Sequence, residues 1–353
     1  MEKSIESNLT AAKKSGDDKK LKQVVSRKKK LEERTGLEVS AKGTRFKLNR
    51  DLGGYHLTGR AEIDIPQNDP LVKMAFPSVP PDLRFPGALV TFLDVSFTYP
   101  KAKEPVLKNV SLAIHLGDRI GFAGANGSGK STLVKLGIAD EHKSSDLRPS
   151  SGSITKHARL RIGYFSQHIT EELEELGASR PDLTTLSYLM EVAGPDLPES
   201  KARGLLSAMG MPGRVASDVR LGSLSGGQRV RLALAKLVWT PPQLLVLDEV
   251  TTHLDADTIV ALINTLKGFQ GALLVVTHDR FFMRSVVEGK KVVTRGDDGD
   301  DEDSDEDDEV EELEEARKRV VYRIVKGSVK ELPGGMNQYE EIAARSAAKA
   351  GKA

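Results

Sequence analysis

The 353-residue chain has no cysteine, which excludes disulfides and thiolate metal sites and suits a reducing compartment. Aromatic residues make up only 5% of it, with a single tryptophan, so any core must rest on aliphatic side chains. Apolar residues reach 39%, enough for a proper core within part of the chain. No apolar run reaches the roughly 18–20 residues that cross a membrane. The opening stretch, MEKSIESNLTAAKKSGDDKK, lacks the apolar segment of a secretory signal. These absences point to the cytosol. Net charge is nearly absent too, at a formal +1, but that figure averages two opposed regions.

The basic region is 1–35. Ile5, Leu9 and Ala12 share one helical stripe there, and Leu21, Val24, Val25 and Leu31 share another. Ser15-Gly16 breaks the two, and lysines crowd SRKKK at 26–30. Short strand-like pieces and prolines follow, so 1–87 is expected to be a basic helical linker with a connecting segment. From 88 to 295, strand-like runs such as VTFLDVSFTY, DRIGFAGA and QLLVLDE alternate with helical ones, which argues for a parallel α/β sheet. TTLSYLMEVA and SKARGLLSAMG read as a helical insert. The acidic region is 297–315, with fifteen carboxylates. Such a block repels itself, so 297–316 is expected to be a solvated, disordered insert in a surface loop. VVYRIVKGSVKEL then reads as a strand pair and MNQYEEIAARSAAK as a closing helix; the domain is expected to span 88–341, with a tail at 342–353.

Three motifs carry chemistry. GANGSGKS, 124–131, fits G-x-x-x-x-G-K-[ST] between an apolar strand and a helix, the context of a phosphate-binding loop. Its glycines let the backbone wrap phosphates, Lys130 would reach the β/γ-phosphates, and the Ser131 hydroxyl would take Mg²⁺. QLLVLDE, 243–249, is a buried strand ending in two carboxylates. Asp248 would sit beside the loop and hold Mg²⁺ through water, while Glu249 points elsewhere and could accept a proton from an attacking water. LSGGQ, 224–228, opens an apolar-striped helix. The bare N–H groups of Gly226 and Gly227 at a helix start form a second anion cradle. Taken singly, His278 after LLVVT, Gln167 in YFSQH and Tyr99 in VSFTYP are weak signals.

In order, Tyr99, GANGSGKS, Gln167, LSGGQ, LLVLDE and His278 resemble an ATP-binding-cassette ATPase over roughly 88–295. The resemblance implies a P-loop NTPase fold with a helical subdomain carrying LSGGQ, and ATP and Mg²⁺ as ligands. It implies that ATP is sandwiched between two cassettes, so the second cradle serves the partner's nucleotide. Tyr99 would stack on adenine. Gly124, Ala125, Asn126, Gly127, Ser128, Gly129, Lys130, Ser131 and Thr132 would hold the phosphates. Ser131, Gln167 and Asp248 would serve Mg²⁺ and its waters. Glu249 would polarise the attacking water, and His278 would contact the γ-phosphate. Ser225, Gly226, Gly227 and Gln228 would face the other cassette's ATP, and Asp255 would lie in the loop linking the two sites.

DEVTTHLD, 248–255, resembles the DEPTNHLD stretch of soluble ABC-F proteins, which carry two cassettes joined by a basic helical linker. That resemblance implies linker plus C-terminal cassette, and an ATP-driven role on the ribosome with RNA contacts through the basic segment. Because only one P-loop is present, the partner would be the N-terminal cassette of a longer protein or a second copy of this chain. Val250 and Thr252 replace proline and asparagine, which puts the position of Glu249 and the hydrolysis rate in question. Rival readings are the nucleotide-binding subunit of a membrane transporter and a non-hydrolysing regulatory module.

Overall fold

The computed structural model describes residues 25, 38–39, 45–46, 74–100, 102–139, 147–290 and 317–350. Nearly all of the basic stretch, most of the connecting segment and the acidic insert lie outside the described residues. The chain divides into two units, Met1–Asp69 and Pro70–Ala353. In the first, β1 (Glu38–Val39) pairs antiparallel with β2 (Arg45–Phe46).

The second unit runs through β3 (Ala88–Phe97), β4 (Leu107–His115), β5 (Arg119–Ala123), α1 (Lys130–Ile138), β6 (Ser151–Lys156), β7 (Ile162–Phe165), α2 (Ile169–Ser179), α3 (Thr185–Ala193), α4 (Glu199–Ala208) and a short α5 (Arg214–Ser217). It continues through α6 (Gly226–Val238), β8 (Leu244–Asp248), α7 (Ala256–Lys267), β9 (Ala272–Val276), α8 (Arg280–Val286), β10 (Arg319–Val325), β11 (Ser328–Leu332) and α9 (Gly335–Ala350). Strands β7, β8, β9, β5 and β10 lie side by side in that order, all parallel. The hairpin partner β11 closes one edge antiparallel to β10.

Strands β5, β8 and β9 are buried at every position. That is why they read as unbroken apolar runs: both faces of the sheet are covered. On one face, α1 and the antiparallel sheet of β4, β3 and β6 share a core that includes Phe92, Val110, Leu133 and Val246. On the other, the helical insert and α6 to α8 share a core that includes Leu189, Leu206, Leu234, Leu262 and Val275. Met74 and Leu83, ahead of β3, are buried in the second and first of these cores.

The sequence assigns no element to 169–179, where the structure has α2. Its acidic stretch TEELEEL leaves only a narrow buried stripe of Ile169, Thr170, Leu173 and Gly177, too thin to stand out by period.

Arg119 opens β5 and is 1% exposed. Its guanidinium donates to the carbonyls of Gly117 at 3.1 Å and Gly271 at 2.6 Å, and to that of Phe269. It thereby ties the turn before β9 onto β5. Arg119→Met would leave buried carbonyls without their donors, with an expected loss of about 3 kcal/mol. Urea unfolding of the two proteins measures this; equal midpoints and slopes would contradict it.

Candidate functional site

In parallel α/β sheets, ligands sit in the crevice outside the carboxyl ends of the strands. Four of the six sequence signals leave from such an end. Loop 124–129 follows β5, Gln167 follows β7, Asp248 and Glu249 end β8, and His278 follows β9. Because these strands are neighbours, motifs far apart in sequence meet along one edge. A cleft of about 540 Å³ there is lined by Tyr99, Asn126, Gly127, Gly129, Lys130, Ser131, Thr132, Gln167, Asp248, Glu249 and His278. Val106, Thr252 and Val276 complete the wall, and none of them was singled out as a ligand contact from sequence.

The loop owes its shape to Gly127 and Gly129, at φ 75° and 103°, where a side chain is strained. A Cβ on Gly124 would meet the Ile324 carbonyl at 2.7 Å. Lys130 begins α1 at 8% exposure, and its Nζ donates to the carbonyls of Gly124 at 2.8 Å and Ala125 at 3.0 Å. Burial lowers its pKa, and the charges of Glu249 and Asp248 oppose that. Tyr99 stands at the mouth, 39% exposed, sharing a 3.1 Å hydrogen bond with the Thr132 hydroxyl and packing edge-on against Phe97.

Asp248 is 2% exposed. Burial raises its pKa, while hydrogen bonds from Ser131 and Tyr164 and the charge of Lys130 pull the other way. Tyr164 was not picked out from sequence. It pairs with Val246 across β7 and β8, so its side chain shares a face with Asp248 two residues on. Only the strand pairing reveals it.

Glu249 breaks from the strand in the left-handed region, φ 55° and ψ 40°, which swings its carboxylate away from Asp248. Its pKa is raised by burial, against the pull of His278, whose Nε2 lies 3.7 Å from Oε1. The same Nε2 is 2.8 Å from Asn126 Oδ1, so the imidazole bridges loop and carboxylate. The two departures from the ABC-F pattern are accommodated. Val250 is a core residue at 1% exposure, and the Thr252 hydroxyl donates to the Glu249 carbonyl at 3.0 Å.

LSGGQ lies outside the cleft. Ser225 caps α6 by accepting from the Gln228 N–H, and Gln228 Oε1 accepts from the Ser225 N–H at 3.0 Å. This reciprocal cap accounts for the serine and the glutamine without a ligand. The backbone of Gly226 and Gly227 lies against His253, each with a Cβ position 3.5 Å from one of its atoms. Asp255 caps α7, accepting from the Thr258 N–H at 3.1 Å and hydroxyl at 2.7 Å. Arg231 of α6 donates to that hydroxyl at 2.6 Å, joining the LSGGQ helix to Asp255 within the chain.

Ser131, Gln167 and Asp248 all line the cleft with side chains that carry oxygen donors. Among the described residues no group of three or more His, Cys, Asp or Glu could cage a metal. Few protein oxygens beside a phosphate-binding loop fit Mg²⁺, which keeps its waters and takes the rest of its shell from phosphate.

Loop, strand-end carboxylates and helical subdomain are arranged here as in a P-loop ATPase of the ATP-binding-cassette class, the fold class expected from sequence. Residues 107–252 match the ABC transporter family. ABC transporter F family member 3 of Arabidopsis thaliana is 39% identical over 237 residues, 67% of this chain and 31% of the relative. ATP-binding cassette sub-family F member 2 of Bos taurus is 34% identical over 59% of this chain and 31% of its own length. Probable ATP-binding protein YheS of Escherichia coli K12 is 42% identical over 52% and 26%. The chain carries an ATP-binding cassette of the ABC-F family, and it spans about a third or less of the length of these relatives.

Proposed function

We propose that the cassette hydrolyses ATP only when paired with a second one, and that it acts in the cytosol on the ribosome through the basic segment 1–35. One observation carries the first half. The cleft gathers Lys130, Ser131, Asp248, Glu249 and His278, yet the glycines of LSGGQ open from a different part of the chain. In this reading Tyr99 takes the adenine and Lys130 the β/γ-phosphates. Ser131, Gln167 and Asp248 hold Mg²⁺, which neutralises phosphate charge when bound. Glu249 accepts the proton of the attacking water, held by His278 and by the Thr252 bond to its carbonyl. Ser225 to Gln228 and Asp255 complete the partner's site. The partner is either another cassette of a longer protein or a second copy of this chain.

Steady-state phosphate release tests the pairing. A dilute monomer should turn over faster than in proportion to its concentration, or only once a partner cassette is added. Proportional turnover by a verified monomer would refute the sandwich, and no turnover with any partner would favour a non-hydrolysing module. For the ribosome, lysine and arginine release counterions from RNA phosphates, with a log–log salt slope of about −0.7 per contact on single strands. Deleting 1–35 should weaken co-sedimentation with ribosomes and flatten its salt dependence. Unchanged affinity and slope would leave the segment a tether, and binding to no ribosome would favour a transporter subunit.

A further inference from the structure

Behind the loop 124–129 lies a second groove, of about 860 Å³. Lys108 and Ser128 line it, with Arg323 and Lys326 from the β10–β11 hairpin and Tyr339 from α9; Glu104 is the one carboxylate among its lining residues. Lys330 pairs with Arg323 across the hairpin, so it carries the positive face beyond the groove. None of these four cations has a carboxylate partner among the described residues. The Ser128 hydroxyl is buried without a hydrogen-bond partner.

Three of the cations sit where local physics disfavours them. Arg323 and Lys330 are directly opposite, and like charges in register destabilise a strand pair. Lys326 and Gly327 form a two-residue turn with φ 49° and 82°, a geometry whose first position favours asparagine, aspartate or glycine. One hairpin thus carries two local conflicts, both adding positive charge beside a concavity. Such conflicts concentrate where a site is used.

We infer that this groove and the hairpin face bind a single RNA strand, with phosphates on Lys108, Arg323, Lys326 and Lys330 and a base against Tyr339. A chain fits better than a mononucleotide because the positive face continues past the groove to Lys330, opposite Arg323. The choice of RNA rests on the proposed ribosomal role. The groove and the nucleotide cleft share Val106, Asn126 and Gly127, so a strand seated here touches the loop that holds ATP.

The test is anisotropy of a labelled twelve-nucleotide oligouridine on the full chain, with ATP present, across a salt series. The triple variant Lys108→Gln, Arg323→Gln, Lys326→Gln should lose at least about tenfold in affinity at low salt and about 2 units of log–log slope. The same loss should recur when 1–35 is deleted. If the triple variant changes nothing in either background, the groove inference fails even where the linker reading survives. If the triple variant matters and deletion of 1–35 does not, the linker reading fails and this one stands. Lys326→Asn guards against misfolding: it should raise Tm by about 2 °C by relieving the turn, yet weaken RNA binding several-fold. A rise in Tm with unchanged RNA affinity would overturn the inference. So would displacement of the oligonucleotide by UMP at an equal concentration of sites, or by poly-glutamate as effectively as by unlabelled RNA, the latter pointing to an acidic protein instead.

Discussion

Lys130→Ala should weaken ATP binding by about 10²–10³-fold, the cost of truncating one member of a buried charge pair. The ammonium is enclosed, 8% exposed, and it is the cation facing Asp248 and Glu249 across the cleft. Without it, the two carboxylates would face a triphosphate with the nearest offsetting charge removed. The carbonyls of Gly124 and Ala125 would also lose the donor that draws the loop together. Calorimetric titration with ATP and Mg²⁺ measures the loss. An unaltered affinity would remove GANGSGKS from phosphate binding altogether.

Glu249→Gln should slow hydrolysis by about 10²–10⁴-fold, the range for a lost general base, while ATP affinity stays within a few-fold. The amide keeps the size and reach of the carboxylate and leaves Lys130, Ser131 and Asp248 in place. It cannot take a proton. Burial raises the pKa of Glu249, which makes the ionised form a stronger base. The sign of the pH dependence follows: turnover should fall as pH drops through that raised value, because the protonated acid accepts nothing. The residual rate of the glutamine variant should lack this acidic limb. Single-turnover assays across pH check both statements. A variant that turns over normally would shift the role to His278.

The loop 124–129 and the end of LLVLDE are legible because each is a short signal at the end of a buried parallel strand, whereas His278, weak by itself, takes its role from the resemblance to ATP-binding cassettes. Such unbroken apolar runs are short and flanked by turn residues, which separates them from buried helices, and their ends converge by topology. Tyr164 was not legible, since its meaning depends on which residue of β8 it faces. His253 was missed for the same reason: its contact with Gly226 and Gly227 crosses two elements. LSGGQ was recognised as a helix start, but Ser225 and Gln228 serve each other as a cap, and a sequence cannot separate a capping hydroxyl from a ligand-binding one. Val250 reads on paper as a lost proline; in three dimensions it is part of the core at 1% exposure.

Glu249 sits at φ 55°, a conformation that costs a non-glycine residue about 1–2 kcal/mol. Glycine or asparagine at 249 would relieve that cost and forfeit the acceptor. Stability and turnover are therefore under opposed selection at this position. A library screened for thermal tolerance alone should enrich Glu249→Gly and Glu249→Asn, and the survivors should bind ATP without consuming it.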